Sequence, residues 1–173
     1  MKKTILVFTA ALCGLFAVNI GERAADVSIG GKDGGKLDGR VWHSSEMRGK
    51  TTVLFYIDPD KKDLNDAFGK KLKAAKFAKN SFHTFVVINL AATWMPDALI
   101  EVALKQKQKQ FKETTYIKDK HKVLVKKWHL PDDAYDIVIF DKHGRCLYTH
   151  TGKVTPKESA KIITLIKKSI RRQ

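Results

Sequence analysis

One dense group of chemically capable side chains in the sequence is the run Asp58-Pro59-Asp60-Lys61-Lys62-Asp63. Three carboxylates so close together could ligate a hard cation, but a calcium loop also requires a glycine and a distal glutamate that this run lacks. Turn and helix-capping roles account for the same acids without a metal. The chain has two cysteines, Cys13 and Cys146. They are not spaced three residues apart, as the thiol pair of a dithiol active site is. None of the six histidines, His43, His83, His121, His129, His143 and His150, pairs at helical zinc spacing or sits beside a cysteine, so no metal is expected. Ser44, Ser45, Ser81 and Ser159 occupy no strand-to-helix elbow of the kind a hydrolase nucleophile needs. Gly31-Lys32-Asp33 leads into more glycine rather than Ser or Thr and a helix, which excludes a phosphate loop.

The elements around these residues follow from apolar periodicity. Thr51 to Ile57 is β-branched and aromatic throughout, as expected of a central strand buried on both faces. Asp58-Pro59-Asp60 ends it, and Leu64, Phe68, Leu72 and Ala75 then recur at helical spacing, with Lys70, Lys71, Lys73 and Lys76 on the outer side. Phe85 to Leu90 is a second continuous apolar strand. It is followed by Trp94-Met95-Pro96 and a helix carrying Leu99, Ile100, Ala103 and Leu104. Thr115 to Ile117 and the segment bearing Val123, Leu124 and Trp128 make a third pair. Asp136 to Phe140 and Arg145 to His150 flank Asp141-Lys142-His143-Gly144 as an antiparallel hairpin. The last helix opens with Thr155-Pro156-Lys157-Glu158, a hydroxyl cap, a first-turn proline and a capping-box acid. Trp42, Trp94 and Trp128 are expected at the core or its edge.

At 173 residues with 43% apolar and 29% charged composition, the chain suits one domain with a substantial core. Its 33 Lys and Arg against 18 Asp and Glu give a formal charge of +15, which favours polyanionic or acidic partners. The basic residues alternate with acids and apolar positions and lack an aromatic stacking pattern, so nucleic acid is not the expected partner. Met1-Lys2-Lys3 followed by the apolar run Ile5 to Val18 has the anatomy of an export signal. The run is short for a membrane span, although an uncleaved anchor is the alternative. Cleavage after Ala17, near Gly21 or near Ala25 can each be argued. Cys13 lies in a poor lipidation context, since Leu12 stands where a small residue should precede it. With the leader removed, Cys146 is the remaining thiol and no intramolecular disulfide can form.

The order strand, helix, strand, helix, short strand, helix, hairpin, helix resembles the thioredoxin superfamily. Thr115 to Leu130 and Ile137 to Gly144 are similar to its secreted members. From about Val41 onward the chain resembles the YtfJ family of bacterial periplasmic proteins through Trp42-His43-Ser44, Gly49-Lys50, Ile88-Asn89, Trp128-His129-Leu130, Asp141-Lys142-His143-Gly144 and Thr155-Pro156-Lys157-Glu158. That resemblance implies a thioredoxin-like α/β fold, a central mixed sheet flanked by helices, and a periplasmic location. It supplies no catalytic residues.

Dithiol chemistry in such a fold needs a cysteine at the helix start after the first central strand and a second one three residues on. Here that loop is Asp58 to Leu64 and contains no sulfur. A peroxidatic cysteine would fall in the same loop. The proline that borders the active site in these folds would lie near Tyr135, where there is none.

The expected organisation is a signal peptide over 1–21, a flexible glycine-rich segment over 22–40 and the thioredoxin-like domain over 41–173. The expected role is a non-catalytic periplasmic binding or accessory module for a protein or anionic partner, without a cofactor. Its candidate contact residues are Asp58, Pro59, Asp60, Lys61, Lys62, Asn65, Trp94 and Tyr135. One alternative is a monothiol redox or thiol-chaperone protein using Cys146; another, should the chain stay in the cytoplasm, is a nucleic-acid-binding regulator.

Overall fold

The computed structural model describes residues 18–172. Cys13 and most of the expected leader lie outside them. The β-strands are β1 (Ser28–Ile29), β2 (Gly34–Lys36), β3 (Trp42–His43), β4 (Thr51–Ile57), β5 (Phe82–Asn89), β6 (Thr114–Asp119), β7 (Tyr135–Phe140) and β8 (Cys146–Thr151). The α-helices are α1 (Asp66–Ala74), α2 (Asp97–Gln110), α3 (Val123–Trp128) and α4 (Pro156–Ile170).

Six strands form one mixed sheet in the order β2-β6-β5-β4-β7-β8. β4 pairs parallel with β5 and antiparallel with β7, and β5 pairs parallel with β6. All seven residues of β4 are buried, as its unbroken apolar composition requires of a strand covered on both faces. Its side chains alternate between two cores. Val53, Phe55 and Ile57 join Phe68 of α1, Ile100 and Leu104 of α2, and Ile162 and Ile166 of α4. Leu54 and Tyr56 join Leu124 and Trp128 of α3 together with Ile29 and Trp42 from the N-terminal segment. In this second core Trp42 meets Trp128 edge-on at 6.3 Å between ring centroids, and Trp128 lies 5.8 Å from Phe140.

α4 begins as its sequence requires: Glu158 N–H donates to the Thr155 hydroxyl at 3.2 Å, and Thr155 N–H donates to the Glu158 carboxylate at 2.7 Å. The β7–β8 hairpin is held by the Asp141 carboxylate, which accepts from the backbone N–H of His143 and of Arg145.

The N-terminal segment differs from the flexible linker expected over 22–40. Gly34–Lys36 extends the main sheet by pairing with β6, and β1 pairs with β3. The glycines serve close packing there. Gly34 has φ +117°, and a Cβ would stand 2.0 Å from the carbonyl oxygen of Lys118. Upstream, Gly21 N–H donates to Cys146 O at 2.7 Å and Cys146 N–H donates to Glu22 O at 2.8 Å, so this segment covers part of the β8 edge. The tryptophans also divide. Trp42 and Trp128 are buried as expected, whereas Trp94 is 90% exposed because it stands on the loop before α2, outside both cores.

Candidate functional site

The ends of β4, β5 and β6 and the loop entering β7 converge on the run that sequence reasoning singled out. Asp58 is buried and ends β4. Its carboxylate accepts from Asp60 N–H at 2.9 Å and caps the single 3-10 turn Pro59–Lys61, which Pro59 opens. Asp58 N–H donates to Ala134 O at 2.9 Å, tying this turn to the start of β7. The Lys61 ammonium contacts the backbone carbonyl of Asp133 and lies 3.6 Å from the Asp58 carboxylate. The Thr93 hydroxyl donates to Asp60 at 3.1 Å, which brings the Trp94 loop alongside. Asp60, Lys61, Lys62 and Trp94 thus share an accessible rim, while Asp58 and Pro59 lie beneath it.

Two candidates belong to the scaffold instead. Asn65 is buried: its amide donates to Gly152 O at 3.0 Å and its carbonyl accepts from Val154 N–H at 2.8 Å, so it fastens the β8–α4 connection. Tyr135 is buried with its ring 6.0 Å from that of Phe55. Burial pushes its phenol well above the ordinary range. Neither side chain is available to a partner without unfolding.

Cys146 is fully buried among Trp42, Trp128 and Phe140. Burial raises its thiol to about 11, outweighing the weak hydrogen bond from its Sγ to Tyr148 O at 3.7 Å. A thiol so placed is neither accessible nor ionised near neutral pH.

Sequence reasoning missed a group of polar residues at the same end of the sheet, on the α3 face. Asp119, buried at the end of β6, accepts from the Tyr56 hydroxyl at 3.2 Å. It also accepts from the backbone N–H groups of His121, Val123 and Leu124, capping the entry to α3. Asn89 donates to Asp132 at 2.9 Å, and Lys122 donates to the other Asp132 oxygen at 2.6 Å. Burial opposes ionisation of Asp132, yet the Lys122 and Asn89 donors hold its carboxyl below the ordinary value. Asp136 stands opposite Tyr56 in the β4–β7 register and opposite Thr151 in the β7–β8 register. Its Oδ1 accepts from the Thr151 hydroxyl at 2.5 Å, while its Oδ2 has no partner among the described residues. Burial raises this carboxyl to about 6, against the lowering effects of the Thr151 hydrogen bond and of His150 and Lys61 nearby. The available signal was Asp136 itself, a carboxylate at the head of the otherwise apolar run Ile137 to Phe140.

Asp136 lines a cavity of about 140 Å³ bounded also by Val18, Trp128, Leu130, Pro131 and Thr149. Lys122, His129 and Asp133, which flank α3 and the cavity rim, have φ of 56°, 52° and 49°. Left-handed backbone at three non-glycine residues in one short stretch marks a connection dictated by its surroundings. No group of three or more His, Cys, Asp or Glu suited to a metal ion occurs among the described residues.

A mixed sheet of this order, with helices on both faces and a turn at the end of the central parallel strand, defines a thioredoxin-like fold. The exposed lipoprotein thioredoxin Etrx1 of Streptococcus pneumoniae superposes with a TM-score of 0.58 at 17% identity, covering 83% of this chain and 99% of that one. A Chlorobium tepidum protein described as a DsbE thiol:disulfide interchange protein gives 0.62 at 19% identity, covering 89% and 99%. Residues 18–169 match the family described as a bacterial protein of unknown function, YtfJ_HI0045, and the chain belongs to that family. It is 24% identical over 135 residues to the protein YtfJ of Escherichia coli strain K12, covering 76% of this chain and 73% of that one.

Proposed function

We propose that this protein is an exported, periplasmic thioredoxin-like module that binds a protein or anionic partner through the rim of the Asp58 turn rather than exchanging disulfides. The observation that carries this reading is the turn at the end of β4. An aspartate cap, a proline and two lysines occupy the place where a dithiol enzyme of this fold needs sulfur. The basic rim of Lys61 and Lys62 beside the exposed Trp94 offers charge and an aromatic anchor together, a combination typical of binding surfaces. Export is supported by the basic and apolar N-terminal sequence. Among the described residues no helix is long and apolar enough to cross a membrane. The rival reading through Cys146 is opposed by that residue's burial and high thiol pKa.

The test is site-specific photo-crosslinking in living cells from a probe replacing Asp63, the exposed neighbour of Lys62. A discrete adduct that disappears with the double substitution Lys61→Glu and Lys62→Glu is expected, and it should weaken as salt rises. An adduct profile indifferent to both changes would overturn the reading, as would catalytic reduction of insulin by the purified protein.

A further inference from the structure

The packing of residues 18–27 bears on where the leader ends. Val18 N–H donates to Trp128 O at 3.2 Å, and the Val18 side chain rests against the Trp42–Trp128 core. Gly21 and Glu22 exchange backbone hydrogen bonds with Cys146, and Arg23 bridges to Arg145. The Trp128 indole N–H donates to Ala25 O at 2.8 Å. A cut after Ala25 would delete the acceptor of that indole and uncover the β8 edge. A cut after Gly21 would delete the bond from Gly21 to Cys146 O and the Val18 contact. A cut after Ala17 preserves all of these interactions among the described residues and leaves small Ala17 at the last leader position, although the bulkier Leu15 stands two before it.

The same cut changes the chemistry at Val18. Hydrolysis by a signal peptidase adds one water across the Ala17–Val18 bond; Ala17 leaves as a carboxylate and the Val18 nitrogen becomes an ammonium. The peptide nitrogen has one N–H, already given to Trp128 O, whereas the ammonium has three. Val18 forms one wall of the cavity that also holds Asp136. Asp136 is 2% exposed, and its Oδ2 is buried without a partner among the described residues. The charged or titratable groups near it are His150, Lys61, the cavity residue His129 and the Tyr56–Asp119 pair. Val18 and Asp136 line the same space of about 140 Å³, which accommodates a few waters able to bridge an ammonium and a carboxylate. We infer that export processing cuts between Ala17 and Val18 and that the new N-terminal ammonium is latched into this cavity by Asp136. The inference rests on the reading of the N-terminal residues as an export leader.

The intact mass and N-terminal sequence of protein recovered from the periplasm of cells expressing the full chain test the cut. A Val18 start is expected. A start at Glu22 or Asp26 overturns the inference and leaves export standing, whereas an uncut cytoplasmic chain overturns both. The latch is tested by titrating the Asp136 carboxyl by NMR in the Val18-start protein and in one with Gly-Ser placed before Val18. Moving the ammonium away should raise the Asp136 pKa by at least one unit, a tenfold change in its ionisation constant. Equal titration in the two forms overturns the latch. In denaturation experiments the extension should destabilise the native sequence more than the Asp136→Asn variant. An equal effect in both backgrounds has the same adverse meaning.

Discussion

The Thr151 hydroxyl donates to Oδ1 of Asp136 at 2.5 Å across the β7–β8 pair, while the second carboxylate oxygen is buried without a partner among the described residues. A buried acid satisfied on one side resists ionisation, and stability depends on pH as a result.

With an uncharged nitrogen at Val18, Asp136 titrates at about 6 in the fold against the ordinary 3.8. The native state then holds more protons than the unfolded state between those values. This group's contribution is therefore greatest below about pH 4 and declines as pH rises through 6. The loss amounts to up to about 3 kcal/mol. Urea denaturation of the Gly-Ser-extended protein from pH 4 to 7 should show that decline, and Asp136→Asn should flatten it. A profile that rises across this range would contradict the assignment.

Cys146 should fail to react with a thiol reagent at pH 8 in the folded protein and react fully in denaturant, because it is buried and titrates at about 11. Rapid labelling of the native form would require an opening of the Trp42–Trp128 core that the packing gives no reason to expect.

Gly34→Ala should detach β2 from β6, since the added Cβ meets Lys118 O at 2.0 Å on a backbone with φ +117°. We expect a cost above about 2 kcal/mol from strain and lost pairing. Amide exchange should accelerate in residues 34–36 first. Gly39→Ala, at φ +84° with open space around it, is the control and should cost about 1 kcal/mol.

Asn65→Ala should lower stability by about 2–3 kcal/mol, because the side chain serves both Gly152 O and Val154 N–H and its loss strands two backbone groups. The rim proposed to bind a partner would lose nothing directly, so crosslinking from position 63 should survive wherever the variant remains folded. Loss of the adduct at a temperature well below the melting transition would return Asn65 to the contact surface.

Apolar periodicity and capping chemistry are local, which is why β4, the hairpin of β7 and β8, and the Thr155 start of α4 could be read from the sequence alone. The same holds for the absence of sulfur after β4, a matter of residue identity that no packing alters. Tertiary structure decided which side chains remain free. Asn65 is consumed by a carbonyl 87 residues away, Tyr135 turns into the core while its neighbour Asp136 alternates onto the cavity face, and Trp94 stands outside both cores. The glycines of 30–35 read as punctuation in one dimension, yet Gly34 is demanded by the approach of Lys118 from β6. Solvent exclusion and long-range pairing arise only when distant segments meet. The Asp136 cavity, whose wall runs from Val18 to Thr151, therefore leaves no signature in any single stretch of chain.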